Sequence, residues 1–382
     1  MREPIVSIVR CQSEDWAKSV PPALREALEK IGGLETVVSR GDTVFIKPNL
    51  ISPKTYETGA ITNPALVSAV IDLARETGAK RIIVGEGSAV GYDTREAFKI
   101  SGLEKLTEKG VKLVDLKRDE FQWIVIPNGV LLKRLRIPRT VLESNVIINL
   151  PVMKTHDALP VTLGLKNMKG VIHESDKKRF HKWGLEQAIV DLNKAVLPEL
   201  TILDGTIAME GLGPNSGTPV GLGLLMASTD TVALDSVASA VMGFDPKDIC
   251  YIQMAQEQGL GCAEFERIEV VGLSIDEVRR PFKRIRLSAE DYDQYGIRIV
   301  ESGACSGCQH FLEALVAKLM ERGGIEALQG YTIVYGQTVK PPENYEGELL
   351  LLGTCTRRYK DRGRYLPGCP PHPNDFQEFL GI

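Results

Sequence analysis

Short apolar runs alternate with amphipathic helix patterns along the first three-quarters of the chain. Residues 43–47 and the run beginning at Arg81 read as strands, and the stretch at 63–77 between them has the apolar spacing of a helix capped by an asparagine. A further strand pattern at 200–203 ends on the turn residues Asp204-Gly205. Continuous apolar strands separated by such helices predict an α/β fold with a largely parallel sheet covered on both faces.

The alternation of strand and helix patterns is interrupted at 276–296 and resumes at 297, which predicts two domains. Residues 1–275 form the large predicted α/β domain, and within it 158–184 is rich in Gly, Lys and His and is predicted to be a loop or small subdomain over the sheet. The charged stretch at 276–296 has no clear apolar period and is the predicted linker. Strand and helix patterns then resume and predict a smaller α/β domain over 297–382.

Composition narrows the class of protein. The hydrophobic share of 43% and the charged share of 25% are typical of a soluble globular protein, and a net charge of −4 gives no electrostatic reason to expect nucleic acid. The basic run Lys177-Lys178-Arg179 is interpreted as a solvated face. No apolar stretch reaches the roughly 18 residues of a membrane helix, and the N-terminus lacks a signal-peptide pattern. We therefore expect no membrane span and a cytoplasmic location, where thiols stay reduced.

Four of the seven cysteines lie in the last quarter of the chain. Cys305 and Cys308 follow one predicted strand, Cys355 follows another, and Cys369 lies in a Gly/Pro-rich segment. Loops at the carboxyl ends of parallel strands share one edge, so these thiols can converge. Four thiolates hold either a tetrahedral zinc ion or an iron–sulfur cluster. A single C-x-x-C with two isolated cysteines preceded by glycine favours one 4Fe–4S cluster, and zinc is the alternative.

These cysteine motifs resemble a known cluster-binding domain. The sequences C-S-G-C at 305–308, G-T-C at 353–355 and P-G-C-P-P-H-P at 367–373 are similar to the proximal-cluster motifs of the nickel–iron hydrogenase small subunit. In those proteins a flavodoxin-like domain binds one 4Fe–4S cluster, so the resemblance implies the same for 297–382. No twin-arginine signal precedes the motifs and no further cysteine cluster follows, so a wire of several clusters is not implied.

The large domain resembles the domain-of-unknown-function 362 family over about 1–275. The similar stretches include I-K-P-N-L at 46–50, K-T-H at 154–156, G-L-K-N-M-K-G at 164–170 and E-G-L-G-P at 210–214. The family has no general activity to carry over. Some of its members have ferredoxin-type cluster domains, so the resemblance is compatible with a redox unit on the same chain.

Charged and polar side chains follow several strands of the large domain and can meet above one sheet edge. Lysines around a cleft would hold a small anion such as a carboxylate or phosphate, and loop glycines would turn backbone N–H groups towards it. The candidate substrate-binding residues are Lys47, Asn49, Glu86, Lys166, Asn167, Gly211 and Gly213. The candidate catalytic residues are His156, Lys154 and Glu210, with His156 as the acid–base group. For Glu210, an ion pair is the alternative interpretation.

These features predict an iron–sulfur redox enzyme that acts on a small anionic substrate and exchanges electrons with a partner such as a ferredoxin. One alternative is an electron-transfer or accessory module of a larger redox complex. Another is an isomerase or racemase in which the cluster is structural. The lysine and histidine at the strand end suit proton transfer beside a carboxylate in either kind of enzyme, so the sequence does not separate these hypotheses.

Overall fold

The computed structural model describes residues 3–156, 159–284 and 289–371. His372 and Pro373 of the last cysteine motif, and part of the predicted linker, lie outside the described residues. Two compact units are present, Met1–Phe180 with Glu186–Arg284, and His181–Leu185 with Ile285–Ile382. We call them the large unit and the C-terminal unit.

Residues up to 284 contain twelve of the described strands. They are β1 (Ile5–Arg10), β2 (Thr43–Pro48), β3 (Arg81–Glu86), β4 (Lys112–Asp115), β5 (Phe121–Val125), β6 (Arg134–Pro138), β7 (Val146–Leu150), β8 (Val152–Thr155), β9 (Val161–Thr162), β10 (Leu200–Glu210), β11 (Thr218–Ser228) and β12 (Glu269–Gly272).

The helices of the same stretch alternate with these strands. They are α1 (Trp16–Glu29), α2 (Pro64–Glu76), α3 (Thr94–Ile100), α4 (Arg139–Leu142), α5 (Gly164–Asn167), α6 (Glu174–Trp183), α7 (Leu185–Ala195), α8 (Thr231–Val241), α9 (Cys250–Glu257) and α10 (Ile275–Val278). Among the described residues, no helix is both long and apolar enough to cross a membrane.

The main sheet has the strand order β12-β1-β11-β10-β7-β2-β3-β4; β8 also pairs with β10, and β9 pairs with β8. Neighbours from β10 through β7, β2 and β3 to β4 are parallel, whereas β11 is antiparallel to both β1 and β10. The α/β class with a largely parallel sheet is thus confirmed. Strands β5 and β6 form a separate two-stranded hairpin.

Local sequence accounts for the helix between β2 and β3. The side chain of Asn63 accepts a hydrogen bond from the Ala65 N–H, and Pro64 occupies the first turn, so α2 begins where its sequence predicts. Leu66 and Val70 of α2 pack in the main apolar core with Ile46 of β2. This packing covers one face of the parallel strands and leaves their carboxyl ends to carry polar groups.

Strand β10 is longer than the sequence predicts. Strand β10 runs on through Asp204-Gly205 to Glu210, because the buried Asp204 carboxylate accepts the backbone N–H groups of Asn63 and Thr206 and does not end the strand. The described part of 158–184, predicted as a loop or small subdomain, is ordered as β9, α5 and α6.

The C-terminal unit has its own sheet and core. Its strands β13 (Arg298–Glu301), β14 (Tyr331–Tyr335), β15 (Glu348–Leu352) and β16 (Arg364–Leu366) are parallel and follow chain order across the sheet. Its helices are α11 (Ala289–Asp293) and α12 (Ser306–Arg322). A core that includes Leu312, Val316 and Leu350 joins α12 to the sheet.

Candidate functional site

A buried ion pair lies at the carboxyl ends of β2 and β3. The Lys47 Nζ atom lies 2.6 Å from Glu86 Oε2, and both side chains are almost wholly buried. Glu86 also accepts the backbone N–H groups of Leu50 and Gly87, at 3.2 and 2.7 Å. Gly170 covers the pair so closely that an added Cβ would lie 2.0 Å from Glu86 Oε1. The glycine is therefore required by a close approach, and the hydrogen bonds offset part of the cost of burying both charges.

Asparagine side chains join this ion pair to a second buried lysine. The Asn167 amide oxygen accepts from Asn49 at 2.7 Å and from Lys47 at 3.5 Å. Lys154 donates in turn to the Asn49 side chain at 2.8 Å and to two carbonyls, those of Ala60 and Pro214. We call the five residues Lys47, Asn49, Glu86, Lys154 and Asn167 the buried lysine network. The structure thus brings together five of the ten residues that the sequence proposes for the large domain.

Positive charge exceeds negative charge around this network. Burial lowers the pKa of Lys154 well below its ordinary value, and the nearby ammonium groups of Lys166, Lys47 and Lys54 lower it further. Among the described residues, the Glu86 carboxylate acts against this effect on Lys154. Burial also lowers the pKa of Lys47, although Glu86 acts in the opposite direction. Lysines that repel one another in a buried site are an arrangement that a bound anion would stabilise.

Lys177 is a further buried lysine of this region, and its interpretation as part of a solvated face was wrong. Its Nζ donates to the carbonyls of Gly87 and Ser88, and burial lowers its pKa to about 8. Phe180, three residues further along α6, is also buried, so the two side chains share the inner face of the helix. The i, i+3 spacing of Lys177 and Phe180 could have indicated that both side chains face inward. The charged residues at 178 and 179 instead suggested an exposed face.

Glu210 does not belong to the buried lysine network and pairs with Arg280 instead. Arg280 donates two hydrogen bonds to its carboxylate, at 2.8 and 3.1 Å, and the Lys283 N–H adds a third at 3.0 Å. The hydrogen bond from Arg280 is the main cause that lowers the pKa of Glu210. This geometry favours the ion-pair interpretation over a proton-transferring role. It also shows that part of the predicted linker, residues 276–284, is structured within the large unit.

The remaining candidates surround the end of β8. His156 is buried, and its Nδ1 accepts the Leu159 N–H at 3.2 Å. Gly213 packs against the Thr155 carbonyl, where an added Cβ would lie 2.0 Å from the oxygen. The Gly211 N–H, expected to face an anion, instead donates to the Lys283 carbonyl at 2.8 Å. The glycine-rich loop is thus fixed by backbone packing at both glycines.

The cysteine segments meet at the carboxyl edge of the C-terminal sheet. Cys305 is the N-cap residue of α12, and the Cys308 N–H donates to its carbonyl at 3.2 Å. The loop after β15 contacts the loop after β16 through the Thr354 N–H, which donates to the Gly368 carbonyl at 2.7 Å. An added Cβ at Gly353 would lie 3.2 Å from the Cys308 sulfur. The segments that carry Cys305, Cys308, Cys355 and Cys369 are therefore neighbours.

The thiols influence one another electrostatically. The hydrogen bond from Cys308 lowers the pKa of Cys305 to about 5. The same bond and burial raise the pKa of Cys308, and the charges of Cys305, Cys369 and Cys355 add to this effect. Among the described residues, no three His, Cys, Asp or Glu side chains are grouped closely enough to hold a single metal ion.

The fold and the buried lysine network define an α/β protein that gathers polar groups at the carboxyl edge of its parallel strands. The profile of the family described as domain of unknown function (DUF362) matches residues 44–240, more than half of the chain. The chain belongs to this family. The match runs from β2 into α8 and includes every residue of the buried lysine network.

One curated relative and two solved structures are similar to the chain. The thylakoid-associated protein sll1697 of Synechocystis sp. (strain ATCC 27184 / PCC 6803 / Kazusa) is 34% identical over 262 residues, covering 67% of this chain and 79% of that protein. The lactate racemase apoprotein of Thermoanaerobacterium thermosaccharolyticum has a TM-score of 0.42 at 12% identity, over 97% of this chain and 88% of its own. A Thermotoga maritima protein has a TM-score of 0.41 at 11% identity, over 94% and 92%.

Proposed function

We propose that this chain is an iron–sulfur protein whose C-terminal unit binds one 4Fe–4S cluster through Cys305, Cys308, Cys355 and Cys369. The observation that carries the proposal is the meeting of three cysteine segments at one edge of a parallel sheet. Their motifs resemble those of the hydrogenase small subunit, in the same order along the chain. When bound, such a cluster supplies one-electron transfer.

The residues present suit a cluster better than a zinc ion. Zinc needs four sulfurs at about 2.3 Å from one point, so the thiols would have to be tightly grouped. A cube takes one thiolate at each of four separate iron atoms and tolerates wider spacing. Gly353 lets the backbone after β15 come close to the Cys308 sulfur, since an added Cβ there would lie 3.2 Å from it. A donor set of four thiols on three neighbouring segments, with backbone this close to one sulfur, fits the cluster.

Anaerobic purification with iron, sulfide and zinc analysis tests this proposal, together with EPR before and after dithionite. We expect about four irons and four sulfides per chain and an EPR signal in the reduced protein. Cys305→Ser should lose both. Cys250→Ser is the matched control, because Cys250 is exposed and lies on α9 of the large unit. About one zinc per chain with no sulfide would rule the cluster out.

For the large unit we propose a small anionic ligand, such as a carboxylate or phosphate, next to Lys154 and Lys166. The repulsion between these two lysines, which the Glu86 carboxylate offsets only in part, supports this. Lys166 is close enough to Lys154 for its charge to lower the pKa of that lysine, so we propose that the anion contacts Lys166, with the buried His156, two residues after Lys154, as the second contact. His156 would then be the acid–base group of a redox enzyme that exchanges electrons with a partner such as a ferredoxin.

Thermal unfolding in the presence of inorganic phosphate or acetate tests the anion site. Either ion should raise the melting temperature of the wild-type chain increasingly with its concentration, and Lys166→Gln should abolish the shift. Lys178→Gln is the control, because Lys178 is exposed on α6. Equal shifts in both variants would show that the ions act nonspecifically and would contradict the proposal.

A further inference from the structure

The hairpin of β5 and β6 exposes an unusual amount of apolar surface. In the part of the chain that the structure describes, seven large apolar side chains are exposed, and four of them lie on this hairpin. Val125 is 80% exposed, Val130 57%, Trp123 48% and Leu131 36%. Hairpin turns normally carry Gly, Asn, Asp or Ser, so Val130 and Leu131 beside the turn need a reason other than the turn itself.

A buried carboxylate holds these apolar residues in one conformation. Asp191 of α7 is fully buried and accepts the backbone N–H groups of Val130, Leu131 and Leu132, at 2.9, 2.7 and 2.7 Å. Lys194, one turn further along α7, donates to the Asn128 carbonyl at 2.8 Å. We call residues 123–131 the hairpin tip. Its backbone is already fixed with the apolar side chains exposed, so a partner that binds it does not have to order the loop first.

The charges of the hairpin have one sign. Residues 121–138 contain three basic side chains and no acidic one. The guanidinium groups of Arg134 and Arg136 lie over the Trp123 ring, with Cζ atoms 4.7 and 5.2 Å from its centroid. Exposed aliphatic residues next to an aromatic ring and basic side chains match the layers of an anionic membrane surface, with acyl chains, interface and headgroups in that order.

We propose that this hairpin tip docks on an anionic lipid surface. Val125, Val130 and Leu131 reach the acyl chains below the headgroups, Trp123 lies at the interface, and Lys133 and Arg134 contact anionic headgroups. A protein partner fits less well, because a stable protein interface buries about 800 Å² on each side and the tip offers four side chains. The proposal is independent of the cluster and of the anion site.

Vesicle sedimentation of the full chain tests it, with vesicles of phosphatidylcholine alone and of phosphatidylcholine mixed with phosphatidylglycerol. The wild-type chain should sediment with the mixed vesicles and be released by added salt. The double variant Val125→Ser with Val130→Ser should bind at least about tenfold more weakly, because it removes apolar area from the tip. Ile100→Ser should bind like the wild type, since Ile100 is a comparably exposed apolar residue, 42% exposed, on α3.

Three outcomes would overturn the proposal. The first is a wild-type chain that does not bind the mixed vesicles, and the second is equal binding by the double variant. The third is a wild-type dimer in light scattering that the double variant dissociates, which would assign the tip to a second copy of the chain. Far-UV circular dichroism of the variants checks that each is folded.

Discussion

The two units each gather reactive side chains at the carboxyl edge of a parallel sheet, but they stabilise them differently. In the large unit, Lys47 and Lys154 donate to carbonyl, amide and carboxylate oxygens of the protein. In the C-terminal unit, Cys305 and Cys308 carry thiols, which are weak donors and acceptors. The lysine network thus has hydrogen-bond acceptors from the protein itself, although its lysines repel one another. Cysteine loops gain most of their stabilisation from what they bind.

The largest effect should come from removing the one carboxylate of the lysine network. Glu86→Gln leaves the buried Lys47 ammonium without its counterion, so we expect the free energy of unfolding to fall by about 3–5 kcal/mol in urea denaturation. Glu76→Gln is the control. Its ion pair with Arg25 is exposed on both sides, so this variant should leave the free energy of unfolding nearly unchanged. A similar loss of unfolding free energy in the two variants would contradict the expectation that the buried ion pair matters more than the surface pair.

An intermediate effect should follow from crowding the cysteine loops. Gly353 has φ 81° and ψ 164°, a region that only glycine adopts readily, and an added Cβ would lie 3.2 Å from the Cys308 sulfur. Gly353→Ala should therefore destabilise the C-terminal unit by about 1–3 kcal/mol and reduce its iron content. Gly330→Ala also has a positive φ, 79°, but no atom within 4 Å of an added Cβ, so it should keep its iron. Normal iron in Gly353→Ala would contradict the crowding argument.

The last effect is seen only when the pH is changed, and it concerns the charge of Lys177. Its pKa in the folded chain is about 8, below the ordinary 10.5, so the unfolded chain binds more protons between these two values. Within that window the free energy of unfolding should rise with pH, by at most about 1.4 kcal/mol per pH unit, and below pH 8 this contribution should be constant. The measurement is the difference between wild type and Lys177→Met at each pH, in which other titrating groups largely cancel. A flat difference from pH 8 to 10.5 would show that Lys177 stays charged.

Local sequence predicted elements whose signals lie within a few residues. Helix α2 carries its own cap at Asn63, and its predicted start agrees with the structure. The extension of β10 past Asp204 was missed because the group that satisfies this carboxylate is the backbone of Asn63, 141 residues away in sequence. Glu210 likewise has its partner at Arg280, 70 residues away. Hydrogen-bond partners that are far apart in sequence and are brought together only by folding cannot be predicted from residue spacing.

The candidate site, like the fold, could be predicted from the sequence only in part. Strand ends indicated Lys47, Glu86 and Lys154, since parallel strands place their carboxyl ends side by side. The sequence did not indicate that asparagine amides join these residues, or that Lys177 lies inside. Side-chain burial depends on what covers the sheet edge, and that cover comes from a segment whose own pattern is weak.

Gly170 lies directly over the Lys47–Glu86 pair, so water can reach that pair only when the covering segment moves. Local opening of the segment and hydration of the ion pair are therefore one event. The Leu50 and Gly87 amides, which donate to Glu86, should exchange their hydrogens with solvent at the rate of that opening, faster than amides in the centre of β2. The difference in exchange rate between these two amides and the amides in the centre of β2 would then measure how readily the covering segment opens.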